Sequence, residues 1–357
     1  MAGRDCIAWH GWPDLRDCLD LHRTGGPRGL LSRRSVLGAL SLALPASLSQ
    51  PAAAANDWVL YTSQNRTAPV ALATLARLLA EAPARTNNAL RIELKTAGTL
   101  PIRATAVAAG VADGKVQMGD DTYFPTALPA GGMLRMPGLV LTEAELRDVV
   151  PIQQGFLQAA FAKRKLTLLG YYVTPPQLIF TSRKVATIDD LRNLVIRTTT
   201  PEQTEAVLRL GGLAVSMVAS DVPAALDGAS LHGVYGTAAA ARPWKDKLTY
   251  ATSITPIRSD GVILASSAAL AALPEATRNA VTKLGADLAV GLAEDLAADD
   301  KAAMAEVAAE GMLRVEPRAE DLIAATRRLT PYWEQLGSAR GKDGADTLAA
   351  MRLVLGR

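Results

Sequence analysis

Cysteine and histidine are scarce in this chain of 357 residues, which holds two cysteines and three histidines. Cys6, Cys18, His10 and His22 all lie near the beginning of the chain, so His232 is the only histidine beyond them. Two cysteines cannot build a disulfide scaffold or a four-thiolate metal site. Beyond residue 55 the chain lacks the residues for a cysteine nucleophile, an iron–sulfur cluster, a His/Cys-ligated haem or an ordinary zinc site, and a Ser-His-Asp triad could use only His232.

Charged and aromatic side chains are also few. The chain carries 38 basic and 35 acidic side chains, with 20% charged and 4% aromatic residues. A balance this close to neutral argues against the basic stripe of a nucleic-acid binder, so we expect no nucleic-acid partner. Hydrophobic residues make up 49% of the chain, enough to bury a sizeable core. The length predicts roughly two domains of about 150 residues each.

Residues 1–55 have the organisation of an export signal. Arg33-Arg34 precede an apolar run over 39–48, and an alanine-rich cleavage site follows over 51–55. The run is far shorter than the roughly 20 residues that span a bilayer. The arginine pair favours the twin-arginine route over an ordinary Sec signal that happens to carry two arginines. We therefore expect a leader over 1–55 and a periplasmic mature protein.

Removal of that leader leaves 302 residues with a formal net charge of +1, since the leader holds six arginines and four aspartates. A thiol-free chain with one histidine is better suited to recognising a small anion than to catalysis, and we expect no cofactor and no metal. No G-x-G-x-x-G, P-loop or G-x-S-x-G motif occurs. An exported enzyme is nevertheless the alternative, because the twin-arginine route carries folded, often cofactor-loaded proteins.

Strand and helix patterns alternate along the rest of the chain. Leu90, Ile92 and Leu94 alternate with charged residues, as in a half-buried strand, and apolar residues over 68–79 recur at helical spacing. Further strands are predicted over 59–62, 116–118, 167–172, 178–181, 194–197, 214–218, 233–235 and 261–265. Further helices are predicted over 102–111, 143–161, 201–210, 222–226 and most of 274–353. Such alternation predicts an α/β fold with parallel strands.

Two proline positions interrupt the strand patterns. Pro175-Pro176 and Pro256 each lie between strand segments, where proline removes a backbone donor and stiffens the chain. A pair of stiff crossovers suits two lobes that share a hinge. Ordinary loop prolines explain the same residues equally well.

Segments spread along the chain beyond the leader resemble those of one family, in the same order and with matching gaps. Residues 187–197 (T-I-D-D-L-R-N-L-V-I-R) are similar to its t-p-e-D-L-k-G-l-K-I-R segment, and residues 221–226 (D-V-P-A-A-L) resemble its E-v-Y-t-A-L. Shorter matches lie over 97–100, 110–118, 136–139 and 210–215. The family is that of the extracytoplasmic solute-binding proteins of TRAP transporters, the dicarboxylate-binding family.

This resemblance implies an α/β, two-lobed periplasmic-binding-protein fold with a hinge, mixed but mostly parallel sheets and long C-terminal helices. One lobe should comprise 57–175 plus 255–300 and the other 176–254 plus 301–357, with helices near 275–310 bracing both. It also implies a monomeric receptor, not an enzyme, that closes on a small organic acid and delivers it to TRAP permease subunits. A sensory protein that presents its ligand to a receptor kinase would share the ligand-binding lobes.

The resemblance places the ligand carboxylate on Arg197, which ends the stretch that matches K-I-R. A guanidinium fork can make two parallel, charge-assisted hydrogen bonds with one carboxylate. Open α/β sheets also place their ligands at strand ends. Replacement of Arg197 is therefore expected to abolish binding.

The chain departs from the family pattern at other cleft positions. His232 stands where the family has an aspartate, and Thr237 where it has the ligand-contacting asparagine, although Tyr235 and Thr237 can still donate hydrogen bonds. Gln177 occupies the position of a second arginine that some members carry. Fewer positive charges favour a monocarboxylate, or an aromatic or hydroxylated acid, over a dicarboxylate. A lone histidine such as His232 fits a structural role better than a catalytic one.

Further polar positions follow predicted strands and could face the cleft. Asp120 and Asp121 follow the third strand, where the family places a polar ligand contact, and Asn65 lies beside Gln64 in the loop after the first strand. Solvated turns are the alternative for these loops. Trp244 could stack on a ligand or pack in the core.

Overall fold

Strands in the described part of the chain, residues 56–357 of this computed structural model, belong to two separate sheets. The leader predicted over 1–55 lies outside the described residues. The strands are β1 (Asn56–Thr62), β2 (Leu90–Lys95), β3 (Met118–Asp121), β4 (Leu166–Val173), β5 (Gln177–Thr181), β6 (Val195–Arg197), β7 (Leu213–Val215), β8 (Gly233–Gly236), β9 (Tyr250–Ile257), β10 (Asp260–Ser266) and β11 (Leu313–Val315). The first sheet has the order β2-β1-β3-β10-β4, and the second β11-β9-β5-β8-β6-β7.

Both sheets mix parallel and antiparallel neighbours. In the first sheet β1 runs parallel to β2 and β3, whereas β10 runs antiparallel to β3 and β4. In the second sheet β6 is parallel to β7 and β8, β11 is parallel to β9, and β5 is antiparallel to β8 and β9. Two mixed sheets interleaved with helices confirm the predicted α/β fold class.

Helices cover the faces of these sheets. They are α1 (Pro69–Leu79), α2 (Ala82–Arg85), α3 (Val107–Ala112), α4 (Glu143–Ala162), α5 (Pro201–Arg209), α6 (Val222–Asp227), α7 (Ala238–Ala241), α8 (Ser267–Ala271), α9 (Glu275–Ala309), α10 (Ala319–Ala339) and α11 (Gly341–Leu355). Short 3-10 helices lie over Ala104–Ala106, Phe124–Thr126, Pro129–Arg135, Ile188–Leu191, Ala219–Asp221 and Arg242–Trp244. None of the helices within 56–357 combines the length and apolar character that crossing a bilayer requires.

The third strand ends further along the chain than predicted. The pattern placed a strand over 116–118 with Asp120 and Asp121 after it, but β3 includes both aspartates. Asp120 pairs with Thr62 of β1, and Asp121 pairs with Val262 of β10. Because aspartate is disfavoured in strands, the pattern ended β3 too early. Pairing on both sides and the buried partners of the two carboxylates outweigh that preference.

Two short segments, which we call the crossovers, carry the chain from one sheet to the other. Residues 174–176 connect β4 to β5, and Arg258 and Ser259 connect β9 to β10. The backbone N–H of Thr174 donates to the carbonyl of Ser259 (2.8 Å), so the two crossovers are bonded to each other. Pro256 was predicted between strand segments, but it lies inside β9, where the pairing with β5 is irregular. Proline has no backbone N–H to donate. It is tolerated here because the irregular pairing does not require that donor.

The long helix α9 packs closely on the first sheet and continues to the second. It has 35 residues and is about 50 Å long. A Cβ atom on Gly170 of β4 would lie 2.6 Å from the Cβ of Ala289 and 2.6 Å from the carbonyl oxygen of Gly285, so the contact with β4 requires glycine. Further along α9, Ala303 packs in a core cluster with Phe180 of β5.

The C-terminal helices also contact elements beside both sheets. Ala325 of α10 shares a core cluster with Ile254 of β9. Trp333 of α10 and Met351 of α11 share another with Val149 of α4. α10 therefore passes from elements of the second sheet to helices packed beside the first.

The two sheets are formed by different segments of the chain. The strands of the first lie within 56–173 and 260–266, and those of the second within 177–257 and 313–315. The predicted lobe boundaries, and the assignment of 301–357 to one lobe, stay predictions.

Candidate functional site

The strand ends beside the crossovers bring polar residues of both sheets to one region. β4 runs in the same direction as β1 and β3, because β10 is antiparallel to both β3 and β4. The chain therefore leaves the first sheet at the edge where β1 and β3 also end. It enters the second sheet at Gln177, and Leu178, the next residue, pairs with Gly236 at the end of β8. Arg197 ends β6 at the same edge, because β6 is parallel to β8. The carboxyl ends of parallel strands are where open α/β sheets bind ligands.

Arg197 is half-buried at that edge and carries an uncompensated charge. Its Nε donates to the carbonyl of Met217 (3.0 Å), and its guanidinium carbon lies 5.5 Å from the centroid of the Trp244 ring. Burial lowers the pKa of Arg197, and no acidic neighbour among the described residues offsets this effect. Both Nη atoms lack a hydrogen-bond partner in the same part of the chain. A guanidinium in this state is suited to bind an anion from outside the chain.

Gln177 aligns with the second arginine that some family members carry, and its side-chain amide is hydrogen-bonded to other residues of the protein. Its Nε2 donates to the hydroxyl of Ser259 (2.7 Å), and its Oε1 accepts from Nε2 of Gln203 (2.5 Å). Gln203 is buried in the first turn of α5, and its Oε1 accepts from the backbone of Thr199 (2.6 Å). Gln177 thus links a crossover to the loop that follows Arg197.

Tyr235 and Thr237 are placed at the end of β8, next to β6, but they differ in access. Tyr235 is buried in the core, and its hydroxyl donates to the carbonyl of Thr255. The prediction that Tyr235 faces a ligand has no support in this packing. Thr237 is half-buried and caps α7, because its hydroxyl oxygen accepts from the backbone of Ala240 (3.2 Å). Its hydroxyl also lies beside the carboxylate of Asp300 on α9, and this hydrogen bond opposes the rise that burial causes in the pKa of that carboxyl.

His232 connects backbone segments of the second sheet. Its Nδ1 accepts a hydrogen bond from the backbone of Val195 (3.0 Å), and its own backbone N–H donates to the carbonyl of Val195 (2.8 Å). Burial, with a smaller contribution from the charge of Arg183, lowers the pKa of His232. A neutral ring that accepts from the backbone has a structural role, as a lone histidine suggested.

Asp120 and Asp121 are buried inside β3 and are fully partnered. Asp120 accepts from the hydroxyls of Thr62 (2.6 Å) and Tyr172 (2.8 Å). Asp121 accepts from the backbone of Ala108 (3.1 Å) and Tyr123 (2.7 Å). Burial raises the pKa of each carboxyl from 3.8 to about 6, and these hydrogen bonds only partly oppose that effect. The pair braces the end of β3, and both side chains are buried.

Replacing Asp120 by asparagine should flatten the pH dependence of stability. The pKa of Asp120 is raised from 3.8 to about 6 on folding, so its stabilising contribution is complete below the lower value and is lost as the pH rises through the higher one. At about 1.4 kcal/mol per pKa unit, the contribution is roughly 3 kcal/mol. The variant should therefore lose less unfolding free energy than wild type between about pH 4 and about pH 7, as measured by urea denaturation.

A matched control for this prediction is Asp113→Asn, since Asp113 is exposed in the turn after α3. That variant should keep the wild-type pH profile. Identical pH profiles for Asp120→Asn and wild type would contradict the account of the buried carboxylate.

Asn65 lies in the loop that follows β1. Its side chain is exposed, and its Oδ1 accepts from the backbone (2.9 Å) and hydroxyl (2.8 Å) of Thr67, which forms a local turn. Two residues earlier, Ser63 is buried at the end of β1, and its hydroxyl lies 3.0 Å from that of Thr122. Ser63 and Thr122, which no pattern singled out, place two hydroxyl groups at the ends of β1 and β3.

An ion pair beside the second crossover, at the start of β10, was also missed by the sequence patterns. Nε of Arg135 donates to Oδ1 of Asp260 (2.6 Å), and Nη2 donates to the carbonyls of Thr122 (2.7 Å) and Asp260 (2.7 Å). The hydroxyl of Tyr171 donates to the other carboxylate oxygen (2.8 Å). Asp260 is fully buried, whereas the Arg135 side chain is 17% exposed. No local signal could show this pair, because its members lie far apart in sequence.

A second ion pair joins the start of α5 to the C-terminal helices. Nη2 of Arg340, between α10 and α11, lies 3.4 Å from Oε1 of Glu202 in the first turn of α5. Both side chains are mostly buried, and Nη1 of Arg340 has no partner among the described residues. The pair holds α5 against helices that also pack beside the first sheet.

The first sheet contributes a concave surface at the same edge. β2 ends there, and the following A-G-T-L segment, which resembled the family's turn, begins a concavity of about 530 Å³. Its lining residues follow β2 directly: Ala97, Gly98, Leu100, Pro101, Ile102, Arg103 and Ala104. This concavity is wide open to solvent.

Known proteins share this architecture. A solute receptor of Bordetella pertussis that binds pyroglutamic acid is 22% identical, with a TM-score of 0.67 over 84% of this chain and 100% of that one. A TRAP periplasmic solute-binding protein of Ochrobactrum anthropi is 16% identical, with a TM-score of 0.74 over 85% and 96%. One from Chromohalobacter salexigens with bound d-glucuronate is 15% identical, with a TM-score of 0.69 over 83% and 99%. These likenesses confirm the two-lobed fold.

Comparison with curated protein sequences gives no match. The family model described as bacterial extracellular solute-binding protein, family 7, matches residues 61–339. This match covers both sheets, most of the helices and the region around Arg197, and it confirms the resemblance found in the sequence. The chain belongs to the DctP family of bacterial extracellular solute-binding proteins.

Proposed function

We propose that this chain is the extracytoplasmic receptor of a TRAP-type transporter. It binds the carboxylate of a small organic acid between its two sheets and delivers the acid to the membrane permease. The observation that carries this proposal is Arg197, a half-buried guanidinium with two free Nη atoms and no acidic partner within 56–357. Family membership and the receptors of known ligand support it.

The ligand we infer has one carboxylate and several other polar groups. Pyroglutamic acid and d-glucuronate, the ligands of two structural neighbours, each carry a single carboxylate. Gln177 replaces a second arginine, and its amide is bonded to Ser259 and Gln203. Thr237, Ser63 and Thr122 offer hydroxyl groups for the remainder of such an acid. Of the predicted ligand contacts, Arg197 and Thr237 are thus favoured over Tyr235, Asp120, Asp121 and Asn65.

Binding needs no chemistry beyond this set of contacts. Micromolar affinity corresponds to about −8 kcal/mol. A bidentate ion pair and burial of the acid between the sheets can supply this free energy, less the cost of ordering both partners. We therefore propose a monomeric receptor without catalytic activity.

Closure and export complete the proposal. The lobes 57–175 with 255–300 and 176–254 with 301–357 would move about the crossovers and close on the acid, as hinged binding proteins do. The leader over 1–55 would direct export by the twin-arginine route. The sheets and their crossovers support the first point, and Arg33-Arg34 supports the second.

A thermal-shift screen of residues 56–357 tests the proposed function. The panel pairs monocarboxylates, including pyroglutamate and d-glucuronate, with their amides, and adds dicarboxylates. A cognate acid at 100 times its Kd should stabilise the chain by about 2.7 kcal/mol, a rise in Tm of roughly 4 °C. Amides that stabilise as well as the acids, or turnover of a bound acid, would contradict the proposal.

A further inference from the structure

We propose that Trp244 is a positioning residue for Arg197, which it holds in the orientation that receives a planar carboxylate. This inference rests on the proposed function and deepens it. It assigns the indole to the arginine and not to the ligand. The carboxylate is then received by a guanidinium whose plane is already set before the ligand arrives.

Trp244 is itself fixed by its surroundings. It ends the 3-10 helix Arg242–Trp244, directly after α7, and its side chain is buried. Its core cluster joins strands of the second sheet to α9: Leu178, Phe180, Val234, Ala303, Val307 and Met312. α7 is tied down as well, since Asp300 of α9 accepts from the backbone of Ala239 (2.9 Å). A ring held on this many sides offers a rigid surface.

Arg197 meets this surface while a second restraint acts on its Nε. The guanidinium carbon lies 5.5 Å from the ring centroid, within the range of a cation–π contact. The carbonyl of Met217 accepts from Nε at 3.0 Å, and Met217 follows β7, whose Val215 pairs with Arg197. The indole ring restrains the guanidinium from one side, and the carbonyl of Met217 restrains its Nε. Together they set its plane and leave the two Nη donors for a bidentate partner.

Preorganisation of this kind strengthens binding, because fewer rotamers are lost when the ligand arrives. Leucine at position 244 would fill part of the space but would give the guanidinium no π face. Phenylalanine would retain a π face. The loss of affinity for a carboxylate should therefore be on the order of tenfold for Trp244→Leu and smaller for Trp244→Phe.

A double-mutant cycle tests this role with acetate and pyroglutamate as probes. Wild type, Trp244→Leu, Arg197→Met and the double variant are titrated by calorimetry and by NMR of the Arg197 Nε–Hε resonance. We expect Trp244→Leu to weaken carboxylate binding about tenfold in wild type and to cost nothing further once Arg197 is replaced. We also expect the ring-current shift of the Nε–Hε resonance to disappear in Trp244→Leu and to persist in Trp244→Phe.

Trp58→Phe is the matched control, since Trp58 is buried in a separate cluster beside α1 and should change neither readout. An unchanged affinity in Trp244→Leu, or an equal loss in the Arg197→Met background, would overturn the positioning role alone. Absence of binding to wild type by every carboxylate of the thermal-shift panel would overturn the proposed function as well. If Trp244→Leu fails to fold, Trp244→Phe and the wild-type resonance shift still decide whether the indole faces Arg197.

Discussion

Replacement of Arg197 by methionine is expected to weaken binding of the cognate acid by about 100-fold to 1,000-fold. Each charge-assisted hydrogen bond contributes roughly 1.5–3 kcal/mol, and the variant would leave the ligand carboxylate in the cleft without its partner. Arg197 is the group to remove because both of its Nη atoms are unbonded within the described chain and no carboxylate compensates it there. Calorimetric titration with the acid selected in the thermal-shift screen measures the loss.

Two variants sharpen this prediction. Arg197→Lys should bind with intermediate affinity, since an ammonium keeps the charge but cannot form the planar fork. Arg192→Met removes an exposed arginine five residues earlier and should bind like wild type. Wild-type affinity in Arg197→Met, or an equal loss in Arg192→Met, would show that the carboxylate is held elsewhere.

Replacement of Arg135 by methionine is expected to lower the free energy of unfolding by about 3–5 kcal/mol. Asp260 is fully buried, and Arg135 provides both its charge partner and a hydrogen bond of 2.6 Å to its carboxylate. Removing one member of a buried pair leaves an uncompensated charge, and among residues 56–357 only the hydroxyl of Tyr171 would still donate to it. Urea denaturation at neutral pH measures the change.

Two comparisons separate this effect from loss of side-chain volume. Arg135→Met with Asp260→Asn removes both charges and should recover a large part of the lost stability. Arg77→Met breaks an exposed pair with Asp295 and should cost less than about 1 kcal/mol. A loss in Arg135→Met no larger than that in Arg77→Met would contradict the buried-pair account.

Regular patterning predicted the layers of the fold but not the irregular strand ends. The alternation of Leu90, Ile92 and Leu94 with charged residues predicts β2, because one face of that strand is more buried than the other. The end of β3 was missed, since the carboxyl of Asp120 is bonded to Thr62 and Tyr172, which are distant in sequence. Pairing across a sheet decides such positions, and local propensity carries no information about it.

The residues of the candidate site likewise include some that the sequence predicted and some that depend on distant contacts. Arg197 could be predicted because the residues before it resemble a family segment. The burial of Tyr235 could not, because its hydroxyl is bonded to Thr255 on β9. Arg135 gave no signal at all, since its partner Asp260 begins a strand much later in the chain. Contacts between distant segments make up most of what the sequence left open.

A crystal structure of residues 56–357 with the bound acid tests the central claim most directly. We expect one ligand carboxylate between the two sheets, with its oxygens about 2.7–2.9 Å from the Nη atoms of Arg197 and the indole of Trp244 packed beside the guanidinium. A carboxylate held by other side chains, with Arg197 turned to solvent, would contradict that claim.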